Sequence, residues 1–128
     1  MINPAAIMHA LSTAPDMQAV FDIRTQSEAN DHEHWRLRAK RRKAQRAAAA
    51  LLWRSHMRGC PKPAAVKLTR IAPRQLDSDN LPTATKAIRD SIVFELGCDD
   101  SQRAGIEWLY DQTRGDPKQY AVRVQVWF

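Results

Sequence analysis

Residues 65–72 read AVKLTRIA, with Val66 and Leu68 alternating against Lys67 and Thr69. A period of two predicts a β-strand with one face inward, and Pro73 ends it. QAVFDIR, residues 18–24, sets Phe21 and Ile23 against Val20 and Asp22 and predicts a shorter strand. Near the C-terminus, AGIEWLYDQ and YAVRVQVWF alternate in the same way, and TRGDPK between them supplies the turn residues Gly115, Asp116 and Pro117. A β-hairpin is predicted there.

Two other segments carry a helical period. Asn30 and Glu33 have the spacing of a capping box, and a long helix is predicted from there to about Met57, closed by Gly59 and stopped by Pro61 and Pro63. Its first half is cationic. Residues 47–53 are apolar on nearly every side, so the second half is expected to be buried. A further helix is predicted over residues 79–96, with Gly97 as its cap. Leu81, Ala84, Ile88, Ile92 and Leu96 form its inward stripe, while Asp79, Thr83, Lys86 and Asp90 form a polar stripe facing away from the core. Residues 1–16, punctuated by Pro4 and Pro15, show little pattern and read as a leader to one domain over residues 17–128. The order β, α, β, α, β, β predicts an α+β fold: a mixed β-sheet with two main helices packed on it.

Composition narrows the function classes. A chain of 128 residues can bury one core, and 44% apolar with 27% charged residues excludes a largely disordered protein. Twenty Lys and Arg against 14 Asp and Glu leave a net charge of +6, which favours polyanionic partners, nucleic acid foremost. No run approaches the ~18 apolar residues of a membrane span, and the N-terminus lacks the positive n-region of a signal peptide, so a cytoplasmic protein with no membrane partner is expected. Cys60 and Cys98 lie in no CxxC arrangement and read as reduced thiols.

Much of the positive charge is concentrated. Arg36, Arg38, Lys40, Arg41, Arg42, Lys43 and Arg46 lie within eleven residues that contain no acid. A solvated helix face explains most such runs; contact with nucleic-acid phosphates is the functional alternative. His32 and His34 fall on different helix faces and read as surface residues rather than metal ligands. Trp35 and Trp53 read as packing anchors. Trp108 and Tyr110, alternating with Glu107, read as core rather than as a platform for stacked bases.

Against this basic background stands RQLDSDNLPTATKAIRDSIVFELGCDD, with Asp77 and Asp79 two apart and Asp99 and Asp100 at its far end. Two readings are open. Acids at helix ends cap free N–H groups and complement the helix dipole. Alternatively, hard cations such as Mg²⁺ take carboxylate oxygens and keep several waters, so that two or three carboxylates suffice. An EF-hand loop counted from Asp77 would need Gly at Pro82 and Glu at Ile88. A DxDxT nucleophile motif would need Thr at Leu81. Neither fits.

The stretch LTRIAPRQLDSDNLPTATKAIRDSIVFELGCDD, followed by the expected hairpin, resembles the RusA family of Holliday-junction resolvases, small endonucleases common in phages and prophages. Their signature is DxDN, a helix carrying Lys and Asp, and an apolar stretch closing on DD, matched here by Asp77, Asp79, Asn80, Lys86, Asp90, Asp99 and Asp100. The resemblance covers residues 64–128. It implies a homodimeric, Mg²⁺-dependent nuclease, with Mn²⁺ as a substitute ion, that binds branched DNA and nicks opposing strands of a four-way junction. By this likeness Asp77, Asp79 and Asp100 hold the metal, Asp99 stands beside them, and Lys86 lies near the scissile phosphate. Lys86 follows the second Asp by two helical turns, where the best-known members have one. A non-catalytic nucleic-acid-binding protein on the same fold, and a phosphodiesterase acting on other substrates, are the alternatives.

Overall fold

The computed structural model describes residues 2–28, 33–98 and 105–128. Its elements, in chain order, are α1 (Pro4–Ser12), β1 (Met17–Phe21), α2 (Trp35–His56), β2 (Ala65–Ala72), α3 (Leu81–Ala84), α4 (Lys86–Glu95), β3 (Glu107–Arg114) and β4 (Ala121–Trp127). A 3₁₀ turn, Ser78–Asn80, leads into α3. The described residues thus form a mixed α+β fold with a four-stranded sheet and four helices, as the alternation of periods implied.

The sheet runs β1-β4-β2-β3. β4 is antiparallel to β1 and β2, and β3 is parallel to β2. The register sets Phe21 beside Val122, and Val66 and Leu68 beside Val126 and Val124. These side chains share one face and form the core with Trp53, Ile88 and Ile92 from the helices. On the opposite face, α1 packs Ala10 on Ala65 and Trp127.

The expected hairpin is not formed. The turn over residues 115–120 exists, with Asp116 O accepting from Gln119 N at 3.0 Å, but β2 lies between β3 and β4. Turn chemistry is local, whereas pairing goes to the strand that buries most. β2 is buried on both faces, with only Lys67 half-buried, so it needs a partner along each edge. The β3–β4 connection crosses the end of β2 closely enough that a Cβ on Gly115 would lie 3.1 Å from Ile71 Cγ2 and 2.9 Å from Gln119 Oε1.

The helix expected over residues 79–96 is broken at Thr85, whose φ of −103° and ψ of 5° leave the helical region. Thr85 Oγ1 donates to Leu81 O at 2.8 Å, and Thr85 N donates to the same carbonyl at 3.1 Å. A hydroxyl bonded back to the i−4 carbonyl competes with the backbone and bends a helix. The inward stripe survives the break: Leu81, Ala84, Ile88 and Ile92 are buried.

Four further expectations change. Residues 4–12 of the expected leader form α1, capped by Asn3 Oδ1 accepting from Ala6 N at 3.2 Å, with Pro4 in the first turn. α2 begins at Trp35, capped by His34 Nδ1 accepting from Arg36 N at 3.1 Å; Asn30, the predicted cap, lies outside the described residues. Its apolar half is not buried all round, because Ala47 and Leu51 continue the outward row of Arg36, Lys40 and Lys43 at spacings of three and four. Trp53 is buried, but Trp35 is exposed and lies beside His34 at 5.7 Å between ring centroids.

α4 ends in a Schellman motif. Gly97, at φ +70°, donates to Phe94 O at 3.0 Å, and Cys98 N donates to Val93 O at 3.3 Å. No atom lies within 4 Å of the Cβ position at Gly97, so the cost of a side chain there is purely conformational. Gly97→Ala is expected to lower stability by about 1–2 kcal/mol, the left-handed penalty of an L-residue, as measured by urea denaturation.

Candidate functional site

The acidic loop leaves the C-terminal end of β2, and the protein clamps it before the first carboxylate. Leu76 N donates to Gln112 Oε1 at 2.9 Å, and Gln112 Nε2 donates to Leu76 O at 2.7 Å, so one carboxamide satisfies both backbone groups of the residue preceding Asp77. Arg70 Nη1 donates to Arg74 O at 2.6 Å. Asn80 N closes the 3₁₀ turn on Asp77 O at 2.9 Å.

Asp77 and Asp79 themselves are exposed. Asp77 stands at the cap position of the 3₁₀ turn, yet its side chain makes no capping hydrogen bond. Neither carboxylate takes part in a hydrogen bond or ion pair among the described residues. The capping explanation therefore does not account for Asp77, and the loop holds two carboxylates whose lone pairs remain available. Asp99 and Asp100 lie outside the described residues, and among the described residues no group of three or more His, Cys, Asp and Glu side chains could hold a metal ion. The donor chemistry of Asp77 and Asp79 suits a hard cation.

Lys86, at the start of α4, donates to Asp90 Oδ2 at 2.8 Å, and Arg89 Nε lies 3.9 Å from Asp90 Oδ1. Because the chain breaks at Thr85, a helical count from Asp79 to Lys86 does not apply. Arg89 Nη1 also donates to the Tyr110 hydroxyl at 2.9 Å, and Tyr110 and Trp108 pack against the core as expected.

α2 packs along α4, with Ser91 Oγ donating to Arg46 O at 2.9 Å and Arg54 Nη2 donating to Glu95 Oε1 at 2.6 Å. Both contacts advance in the same direction along the two helices. The cationic first half of α2 therefore lies towards the end of α4 that follows Asp77 and Asp79. The seven cations are not equivalent. Arg41 forms a fork with Glu28, Nε to Oε1 at 3.0 Å and Nη2 to Oε2 at 2.5 Å, and also reaches Glu33 Oε1 at 2.7 Å. Arg38 Nε lies 3.7 Å from Glu28 Oε2. The acids that answer the basic run thus come from before it. Arg36, Lys40, Arg42, Lys43 and Arg46 form no ion pair among the described residues, and Arg36, Lys40 and Lys43 share the outward row.

Sequence reasoning missed Glu28, Arg70 and Gln112. The signal for Arg70 was present: in AVKLTRIA it falls on the same face as Val66 and Leu68. Cys60 and Cys98 are free and half-buried; burial pushes the Cys60 thiol up, the direction of an unreactive thiol. Among the described residues no helix is long and apolar enough to cross a membrane. No protein-family model matches the chain, and no curated protein is significantly similar to it.

Hydrogen bonding to Arg41 holds the Glu33 carboxyl below its ordinary value of 4.5, aided by the charges of Arg41 and Arg38 against some desolvation. A carboxyl whose pKa is lowered in the folded state stabilises that state above its unfolded value and loses the effect as pH falls through the folded value. Stability is expected to drop as the pH is lowered below about 4.5, and Glu33→Gln should remove that component from urea midpoints measured across pH. Glu28, whose side chain is 1% exposed, would lose its principal counter-ion in Arg41→Gln. That variant is expected to lose about 3 kcal/mol by urea denaturation, the low end of the cost of removing one partner from a buried ion pair, since Arg38 stays 3.7 Å from Glu28.

Proposed function

We propose that this protein is a Mg²⁺-dependent endonuclease of branched DNA, of the kind implied by its resemblance to the RusA resolvases. The observation that carries the reading is the pair of uncommitted carboxylates, Asp77 and Asp79, on a loop whose backbone is fixed by Gln112 and Arg70. A residue acting only as a cap would spend its oxygens on the turn; these do not. Fixing the backbone while freeing the side chains is what a preorganised ligand set requires.

In this reading Asp77 and Asp79, with Asp100 and Asp99 completing the set, hold the divalent cation. Such a cation, when bound, supplies Lewis-acid polarisation of a phosphodiester and a hydroxide nucleophile at neutral pH. The remaining tasks fall to the chain's own side chains. Arg36, Lys40 and Lys43 offer an exposed cationic row to a DNA backbone, offsetting the repulsion between the acids and phosphates. Arg42 and Arg46 extend it along the helix flank. Arg38 and Arg41 keep α2 fixed to the preceding loop through Glu28 and Glu33, so their contribution to DNA binding is indirect. Lys86, at the start of α4, supplies a further cation through an accessible pair with Asp90. Two symmetric cuts across a four-way junction call for two copies of the site, hence a homodimer.

The test is cleavage of a labelled four-way junction beside a linear duplex of the same sequence, with Mg²⁺ and with EDTA. Symmetric nicking of the junction only with Mg²⁺ is expected, and Asp79→Asn should abolish it while leaving junction binding intact or tighter, because a repulsive charge is removed. Undiminished cleavage by Asp79→Asn would refute the assignment. Salt-sensitive binding without any cut would instead identify a non-catalytic nucleic-acid-binding protein.

A further inference from the structure

Arg70 projects from near the C-terminal end of β2, an interior strand of the sheet, and is 5% exposed. Its nitrogens donate to Thr25 Oγ1 at 3.0 Å, Thr25 O at 3.3 Å and Arg74 O at 2.6 Å. All three acceptors are neutral. No carboxylate lies within ion-pair distance of Arg70 among the described residues, in contrast to Arg41, which is less buried and holds two. A buried cation without a counter-ion is costly, and the guanidinium is kept where carbonyls alone could have been satisfied by an uncharged donor.

Two more arginines stand at the same place. Arg24, Arg70 and Arg74 line one pocket of about 250 Å³ together with Thr25, Ser27 and Tyr120. Arg24 and Arg74 are exposed, and neither forms an ion pair among the described residues. Arg24 lies over the ring of Tyr120, 4.1 Å from its centroid, and Tyr120 lines the same pocket. Asp22, the nearest acid in sequence, is exposed and pairs with none of the three. Burial pushes the Arg70 guanidinium below its ordinary range, Tyr120 opposes this, and neighbouring Arg24 adds to it. Three arginines line the pocket with no acid among the lining residues, and their common complement is an anion.

The position of the pocket says which anion. Leu76 also lines it, and the next residue is Asp77, so an anion held here sits one residue from the first free carboxylate. Guanidinium forks match phosphate oxygens in two-point geometry. We propose that the Arg24–Arg70–Arg74 pocket binds a backbone phosphate of the nucleic-acid strand next to the acidic loop and sets which phosphodiester faces Asp77 and Asp79. The proposal rests on the nucleic-acid reading above and adds a site to it: Arg70 is its buried member, and Arg24 and Arg74 are its exposed ones.

The experiment uses the full chain in EDTA, so that binding is read without cleavage. The affinity for a labelled four-way junction is measured against salt concentration for the wild type, Arg24→Gln, Arg74→Gln and the pair, with Arg58→Gln as a control outside the pocket. The exposed arginines are chosen because Arg70 also ties two loops together and its replacement would perturb folding. Each pocket variant is expected to reduce the slope of log K against log salt, and the pair to reduce it by about 1, the share of one phosphate contact, with no change for the control. In parallel, the side-chain Nε–Hε resonances of ¹⁵N-arginine-labelled protein are followed while inorganic phosphate is added; Arg24, Arg70 and Arg74 should shift together. Wild-type slopes in the double variant, or phosphate shifts that leave these three resonances unmoved, would overturn the pocket. Reduced slopes in a protein that cuts nothing would retain the pocket and refute the nuclease. Normal cleavage with unchanged slopes would do the reverse, and failure to bind any nucleic acid would overturn both.

Discussion

A strand that is hydrogen-bonded along both edges and buried on both faces cannot slip by a residue without sending every side chain to the opposite face, into packing shaped for the other set. β2 is such a strand: Val66 and Leu68 face the helices, Ala65 and Ile71 the other side, and β3 and β4 hold its two edges. Its C-terminal end is therefore a fixed point. From it hang Arg70, the loop carrying Arg74 and Leu76, and then the carboxylates of Asp77 and Asp79. The backbone groups exposed as the chain leaves the sheet need partners, and Gln112, Arg70 and Asn80 supply them. With the backbone satisfied, the Asp side chains have no structural task left to perform.

What could be read from the sequence follows from how far each signal reaches. β2 was legible to the residue, because a period of two is a property of eight consecutive positions. The inward stripe from Leu81 to Ile92 was legible even though the helix carrying it is broken, since burial constrains spacing more tightly than it constrains hydrogen bonding. The break was written in Pro82 and Thr85, but a threonine's choice between solvent and the i−4 carbonyl is made by its surroundings. α1 had a cap in Asn3 and a start in Pro4; what it lacked was an apolar stripe, since its buried residues are only the alanines Ala6 and Ala10. The hairpin failed for the opposite reason. Its turn residues were right, but no local pattern shows that a third strand will come between its arms.

The acidic loop was legible as a constellation and not as an assembly. Asp77, Asp79 and Lys86 could be read by spacing, while Gln112 clamps Leu76 across 36 residues of chain. Charge behaved in the same way. A run of seven cations looks uniform when only the run is counted, yet Glu28 and Glu33, which precede it, divide it into an anchoring pair, Arg38 and Arg41, and an outward row. The row is what a polyanion meets.

Lys86 tests how far a salt bridge should count against a functional role. Its contact with Asp90 is short, but a lysine four residues before an acid is the weaker orientation on a helix, and both side chains are accessible. Exposed pairs of this kind are worth about 0.5 kcal/mol, little more than a factor of two in population. Asp90 does not depend on Lys86, because Arg89 lies on its other oxygen. The lysine can therefore leave Asp90 for a phosphate at almost no cost. Arg41 cannot, since its departure would leave the enclosed Glu28 with only the longer contact to Arg38. The two cations differ in the solvent around their partners, and that difference, rather than the presence of a salt bridge, separates a side chain that can meet a ligand from one committed to the fold.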